Sequence, residues 1–168
     1  GCGKSTIIKA ILDYANVCTT GCWHMPKVEG IGYLDQHSSN ISAEKSVFES
    51  LSDLMPQWSA TEVRRHLNDF LFRSNDDVNT LGYNLSGGDK ARMSLALIAA
   101  KPPKLLILDE ITNNLDLVTK DHVSQILRDY PAAMIVISHD EDFLIAINIS
   151  LTIEINNGSI TEKRLAEL

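Results

Sequence analysis

The chain has 168 residues, with 15 Lys+Arg against 22 Asp+Glu and a formal net charge of −7. A composition of 44% hydrophobic and 22% charged residues excludes a disordered tail and a collagen-like repeat, and the acidic balance argues against a general nucleic-acid-binding surface, which needs clustered Lys and Arg. No apolar run reaches the ~18–20 residues of a membrane span, and the odd number of cysteines (Cys2, Cys18 and Cys22) reads as reduced thiols of a cytoplasmic protein rather than a disulfide framework.

In chain order, Gly1 to Thr6 reads as a loop, and Ile7, Ile8, Ile11 and Leu12 recur at helical spacing behind it. Residues 16–27 are irregular, Ile31–Leu34 is a short strand, and Asp35 to Asn40 is a polar loop. Two helices follow. Ser42 is the expected cap of the first, with Val47, Phe48, Leu51 and Leu54 on one face. Ser59 and Glu62 form the capping box of the second, with Val63, Leu67, Phe70 and Leu71 along its buried side. Pro56 separates the two.

Asn75 to Leu85 reads as a loop, and Gly87-Gly88 then opens a helix over 89–100 that Pro102-Pro103 stops. Leu105–Leu108 is apolar on both faces, which marks a strand of a parallel sheet covered by helices. Val123, Ile126, Leu127 and Tyr130 give another helix, and Ala133–Ile137 a second buried strand. Leu151, Ile153 and Ile155 alternate with polar residues in a half-exposed strand, before a hairpin signal at Asn157-Gly158.

Three segments carry chemistry. Gly1-Cys2-Gly3-Lys4-Ser5-Thr6 is the second half of a phosphate loop, whose first Gly would lie three positions before Gly1. Gly3 lets backbone N–H groups close on phosphate oxygens, Lys4 is a flexible cation, Ser5 offers a hydroxyl to Mg²⁺, and the helix from Thr6 points its positive end at the anion. The buried strand 105–108 ends in Asp109, which can hold Mg²⁺ through water, and Glu110, which can polarise an attacking water. Leu85-Ser86-Gly87-Gly88-Asp89 places a hydroxyl and flexible N–H groups at a second helix start. Two phosphate-binding helix ends on one chain suggest that the second serves a nucleotide on another subunit.

Gly-Cys-Gly-Lys-Ser-Thr, Gln36, Leu-Ser-Gly-Gly-Asp, Leu-Leu-Ile-Leu-Asp-Glu, Asn-Asn-Leu-Asp and Ser-His-Asp follow one another as in an ATP-binding cassette (ABC) ATPase, which the chain resembles over nearly its whole length. The resemblance implies an α/β P-loop nucleoside-triphosphatase core with a mostly parallel sheet flanked by helices, a small helical signature subdomain and a C-terminal β-hairpin. On that pattern 1–168 is one partial domain, with 1–38 and 102–168 as the RecA-like core and 39–101 as the helical subdomain. It implies ATP and Mg²⁺, with Gly1, Cys2, Gly3, Lys4, Ser5 and Thr6 on the triphosphate. Ser5, Gln36 and Asp109 would serve the metal, and Glu110, Gln36 and His139 the hydrolysis. Ser86, Gly87 and Gly88 would close over the γ-phosphate held by an opposing cassette, with Asp116 at the seam.

Within that family, Asp109–Asp116 and Ile137–Leu144 look like the ABC-F branch, soluble twin-cassette ATPases many of which act on the ribosome during translation. The chain departs from the branch pattern at Ile111, Asn114 and Glu141, and Asp89 stands where Gln or Glu is commoner. Lacking a long charged arm between Gln36 and Leu85, it looks like the C-terminal cassette of such a protein. The implied partners are a second cassette, in the same or another chain, and the ribosome or its RNA through segments outside this chain. An incomplete phosphate loop implies that the chain alone binds ATP about ten- to a hundredfold more weakly and turns it over poorly. Two readings compete: the nucleotide-binding subunit of a membrane transporter, ranked lower because the helical insertion is short, and an inactive half-cassette.

Overall fold

The computed structural model describes residues 4–12, 20–22, 24–35, 40–156 and 159–163. Gly1, Cys2, Gly3, Gln36, Cys18 and the Asn157-Gly158 turn lie outside the described residues. Three strands, β1 (Ile31–Leu34), β2 (Leu105–Asp109) and β3 (Ala133–Ile137), pair in parallel in the order β1-β2-β3. The register sets Tyr33 opposite Ile107 and Asp109 opposite Ile137.

The two-residue period of a strand divides the sheet's side chains between two cores. Leu34, Leu106 and Leu108 face a large core with the helices that follow β1, joined by Met134 and Val136. Leu105 and Ile107, with Ile31, Tyr33, Ile135 and Ile137 around them, face Ile8 and Ile11 of α1 (Lys4–Ile11). Central β2 is therefore buried on both sides, as its unbroken apolar run predicts. β3 is not: it lies at the end of the strand order, its first residue is exposed and the other four are half-buried. An apolar run of similar length thus sits at a less covered position.

The helical layer consists of α2 (Val47–Leu54), α3 (Ala60–Asp69), α4 (Asn75–Asn79) and α5 (Gly87–Ala100). All four begin with a serine capping box, in which a Ser accepts from the N3 backbone N–H while the N3 acid accepts from the Ser N–H. The pairs are Ser46–Glu49, Ser59–Glu62, Ser74–Asp77 and Ser86–Asp89. The cap of α2 is therefore Ser46 rather than Ser42. Residues 43–47 are drawn into an extended pairing with 80–83, through Val47 N–H to Thr80 O, Gly82 N–H to Lys45 O and Tyr83 N–H to Ala43 O. A helix starting at Ser42 would break it.

Segment 75–85 is not a loop throughout, because α4 and a 3-10 turn over Gly82–Asn84 occupy most of it. Likewise α5 begins at Gly87, two residues before the position expected from its apolar residues, since its cap is Ser86. At its far end, α3 stops at Asp69. Leu71 turns to φ 67°, and Phe72 N–H reaches Leu67 O while Leu71 N–H reaches Asn68 O. This Schellman end takes Leu71 off the helix face and puts Phe72, 3% exposed, in the core instead.

Beyond β2 come α6 (Leu117–Arg128), with Val123 and Leu127 buried, and α7 (Glu141–Ala146), a short helix that the apolar spacing did not announce. Finally, β4 (Thr152–Asn156) and β5 (Ser159–Lys163) pair antiparallel, as the hairpin signal predicts. Leu151 and Ile153 on the alternating face are exposed.

Candidate active site

The site begins with the start of α1. The helices of the helical layer each bring an acid into their first turn, but α1 brings none. Ser5 and Thr6 are exposed in that turn, and a helix start without an acid of its own is suited to an external anion. Lys4 reaches back from the same turn to the carboxyl ends of β2 and β3. Its Nζ lies 3.4 Å from Glu110 Oε1 and 2.9 Å from His139 Nε2, and His139 Nε2 lies 3.3 Å from Glu110 Oε1.

Lys4 thus meets residues more than a hundred positions away in sequence at the carboxyl edge of a parallel sheet, where such folds bind ligands. The cluster has a half-buried and an open side: the Glu110 side chain is 19% exposed and that of His139 is 81% exposed.

Glu110 is held in an unusual conformation, φ 53° and ψ 35°, in the left-handed region that non-glycine residues seldom adopt. The sheet enforces it. Glu110 N–H donates to Ile137 O at 2.8 Å, one step beyond the Asp109–Ile137 pair, and the chain must then drop at once into the 3-10 turn Ile111–Asn114. The cost is on the order of 1–3 kcal/mol, typical of strain retained at functional positions.

Asp109 has a partner that sequence reasoning missed: Tyr33 Oη donates to its Oδ2 at 3.2 Å. Tyr33 and Asp109 share a face because Tyr33 lies opposite Ile107, two residues earlier. His139 sits in a loop with its own supports. Ser138 Oγ lies 3.3 Å from Thr112 Oγ1 and accepts from Asp140 N–H. Asp140 caps α7 through Phe143 N–H and pairs at 2.5 Å with Lys120 of α6. The Lys120 contact holds the Asp140 carboxyl below the usual carboxylate range, more than burial raises it.

Of the described residues, Ser86, Gly87 and Asp116 stand apart from this cluster. Ser86 and Gly87 are exposed at the start of α5, where Ser86 Oγ is hydrogen-bonded to Asp89. Asp116 is the cap of α6; its Oδ1 accepts from Thr119 N–H and its Oδ2 from Thr119 Oγ1. Those bonds, the backbone one first, hold its carboxyl below the ordinary value. The start of α5 thus carries its own acid, Asp89, whereas the described first turn of α1 has none.

Mg²⁺ needs few protein ligands, because it keeps several waters and takes one or two carboxylate or hydroxyl oxygens beside phosphate. The carboxylate of Asp109 and the exposed hydroxyl of Ser5 are hard oxygen donors of that kind. Among the described residues no three His, Cys, Asp or Glu side chains gather as a transition-metal site would require.

Comparison with known proteins gives the same reading. A family profile described as ABC transporter matches residues 1–113. The chain is 36% identical over 162 residues to the ATP-binding protein YdiF of Bacillus subtilis, covering 96% of this chain and 25% of that protein. It is 36% identical over 148 residues to the ATP-binding protein Uup of Haemophilus influenzae, covering 86% and 23%. To Uup of Escherichia coli it is 32% identical over 148 residues, again covering 86% and 23%. The chain spans about a quarter of the length of these relatives.

Among solved structures it resembles the dimeric post-hydrolysis state of an ATP-binding cassette bound to ADP and Pi. That match has a TM-score of 0.71 and 22% identity, and covers 98% of this chain and 81% of the other. The likeness carries the fold: a P-loop core of parallel strands and helices. With a family profile over two-thirds of its length, the chain belongs to the ATP-binding cassette family of ATPases and is most like its ABC-F branch.

Proposed function

We propose that this chain binds MgATP at the Lys4 end and hydrolyses it while a second cassette closes over the γ-phosphate with its own Ser86 end. The observation that carries the reading is the meeting of Lys4, Glu110 and His139 at a helix start that has no acid of its own. A triphosphate there competes with Glu110 for the Lys4 ammonium. Lys4 turns to the phosphate, and Glu110 is left as a free carboxylate facing the γ-phosphorus. Glu110 then takes a proton from the attacking water as the bond to the β–γ bridging oxygen breaks, and ADP leaves with that oxygen. His139 Nε2, released from Lys4, faces the γ-phosphate and registers its presence.

Asp109 and Ser5 are the residues to hold Mg²⁺, which when bound neutralises charge on the β- and γ-phosphates. Ser86, Gly87 and Gly88 serve the partner's nucleotide, and Asp116 lies at the seam between the two.

The work done is conformational. ABC-F-like segments around Asp109–Asp116 and Ile137–Leu144 favour the translation machinery as its recipient, in the cytoplasm. Among the described residues no helix is long and apolar enough to cross a membrane.

The test is MgATP-dependent self-association of the chain carrying Glu110→Gln, followed by sedimentation. Association that requires ATP and Mg²⁺ supports the reading, and its absence at saturating nucleotide overturns it. Co-sedimentation of the same variant with ribosomes, compared with and without ATP, tests the recipient.

A further inference from the structure

The Ser86 end differs from the Lys4 end in already carrying an anion. Ser86 Oγ donates to Asp89 Oδ2 at 2.5 Å, and the Ser86 N–H reaches the same oxygen at 3.2 Å. Arg92, one turn along α5, holds the other carboxylate oxygen through Nη2. The Arg92 guanidinium is itself anchored, with its carbon 5.2 Å from the centroid of the Phe72 ring, and its Nε is buried without a partner. The acids of the other three capping boxes are more weakly embedded: Glu49, Glu62 and Asp77 have no ion pair there, whereas Asp89 is ion-paired and its side chain is only 29% exposed. Burial pushes the Asp89 carboxyl up. The Ser86 and Arg92 hydrogen bonds outweigh it and keep the group ionised.

The signature serine is therefore not free to donate to a phosphate. Its hydroxyl has one proton, and Asp89 holds it. We propose that Asp89 is a gate on the signature end: its carboxylate competes with the partner's γ-phosphate for the Ser86 hydroxyl, and Arg92 sets the strength of that competition by neutralising it. The proposal rests on the reading in which Ser86 meets the γ-phosphate of an opposing cassette.

Two consequences have opposite signs. Neutralising Asp89 frees the hydroxyl and leaves the Arg92 cation facing the incoming phosphate, so closure strengthens. Removing the Arg92 charge leaves an unpaired carboxylate where the phosphate must come, so closure weakens. Both positions act through Ser86 and are positioning residues.

The experiment measures MgATP-driven association in the Glu110→Gln chain and compares it with added Asp89→Asn, Arg92→Gln, and both. Asn keeps a side-chain oxygen to cap α5, and Asp89→Gln is the second variant should the cap fail. Binding of a fluorescent ATP analogue at the Lys4 end is followed in parallel and stays constant in all four proteins. Association tightens about tenfold with Asp89→Asn, the scale of a charge-assisted hydrogen bond that no longer has to be broken. It weakens with Arg92→Gln and returns near the starting value in the double variant.

Equal or weaker association with both Asp89→Asn and Asp89→Gln, in a parent that does associate, overturns the gate alone. A parent that binds the analogue but never associates overturns the closure reading and the gate with it.

Discussion

The Lys4 end and the Ser86 end are both helix starts suited to phosphate, yet they are built in opposite ways. At the Lys4 end, Lys4 meets Glu110 and His139 across 106 and 135 positions of sequence, so the cluster exists only when α1, β2 and β3 are assembled. At the Ser86 end the hydrogen bonds all lie within six residues, Ser86 to Arg92, in the first turns of α5, with the Phe72 ring against Arg92 as a longer-range support. Strain follows the same division. Glu110 sits at φ 53° because the sheet pins it, whereas Ser86 caps its helix at φ −62°, ψ 166°, an easy extended conformation. The Lys4 cluster depends on the global fold, whereas the hydrogen bonds of the Ser86 end are local to one helix.

The largest break in this comparison is Glu110→Gln. Gln keeps the shape but cannot take a proton, so single-turnover hydrolysis with enzyme in excess falls about a thousandfold, within the usual reach of a general base. ATP binding does not weaken, since Lys4 no longer has a charged carboxylate to leave. A rate within threefold of the parent would remove Glu110 from the chemistry. Next in size, Leu106→Ala empties a fully buried position on the sheet face toward the helices. It costs about 2–5 kcal/mol in urea unfolding and weakens the Lys4 end together with the fold.

A smaller substitution separates the two regions. The Cβ of an alanine at Gly82 would run into the Ser42 carbonyl oxygen and press on Ile41 Cγ2 at 3.1 Å. That seam joins 43–47 to 80–83 in the helical layer. Gly82→Ala is expected to cost about 1–3 kcal/mol and to raise hydrogen exchange in α2 and α4 more than in β2. Uniform exchange across the molecule would mean that the helical layer and the sheet open as one. Removing the α2 cap with Ser46→Ala costs less, about 1 kcal/mol, and should leave analogue binding at Lys4 unchanged.

How much of this was legible in the sequence follows the same contrast. Features set by a few neighbouring residues could be read directly: the Ser59–Glu62 box, and β2 as an apolar run buried on both faces. The start of α1 could not: Lys4, Ser5 and Thr6, read as loop, already belong to the helix, because the apolar spacing shows only from Ile7 onward. The box at Ser46–Glu49 was equally legible by spacing, but Ser42 competed with it, and the pairing of 43–47 with 80–83 decided the matter. Helix α4 has five residues, too few for a periodic face. Leu71 continued an apolar pattern and left the helix only because Phe72 fills the core in its place. At the site, the motif residues were legible as types in order. That Lys4, Glu110 and His139 touch, and that Tyr33 holds Asp109, depended on strand register, which no local pattern contains.

The smallest effect is that of acid on the caps. Backbone and side-chain hydrogen bonds from Ser46 and Ser59 hold the Glu49 and Glu62 carboxyls below their ordinary value of 4.5. A depressed folded-state value means that the unfolded chain binds the proton more readily, so the stabilisation is complete above pH 4.5 and drains as pH falls through the lower folded value. The thermal midpoint of the helical layer should therefore fall as the pH is lowered from 5 toward 3. Both carboxylates face solvent, so each contribution is small and is read by difference: Glu62→Gln removes one titrating cap, and its midpoint should fall less steeply over that range than the parent's. Parallel curves would place the acid sensitivity in better-shielded groups such as Asp89, whose carboxylate is held by both Ser86 and Arg92. The Asp89→Asn chain would then show the flatter curve.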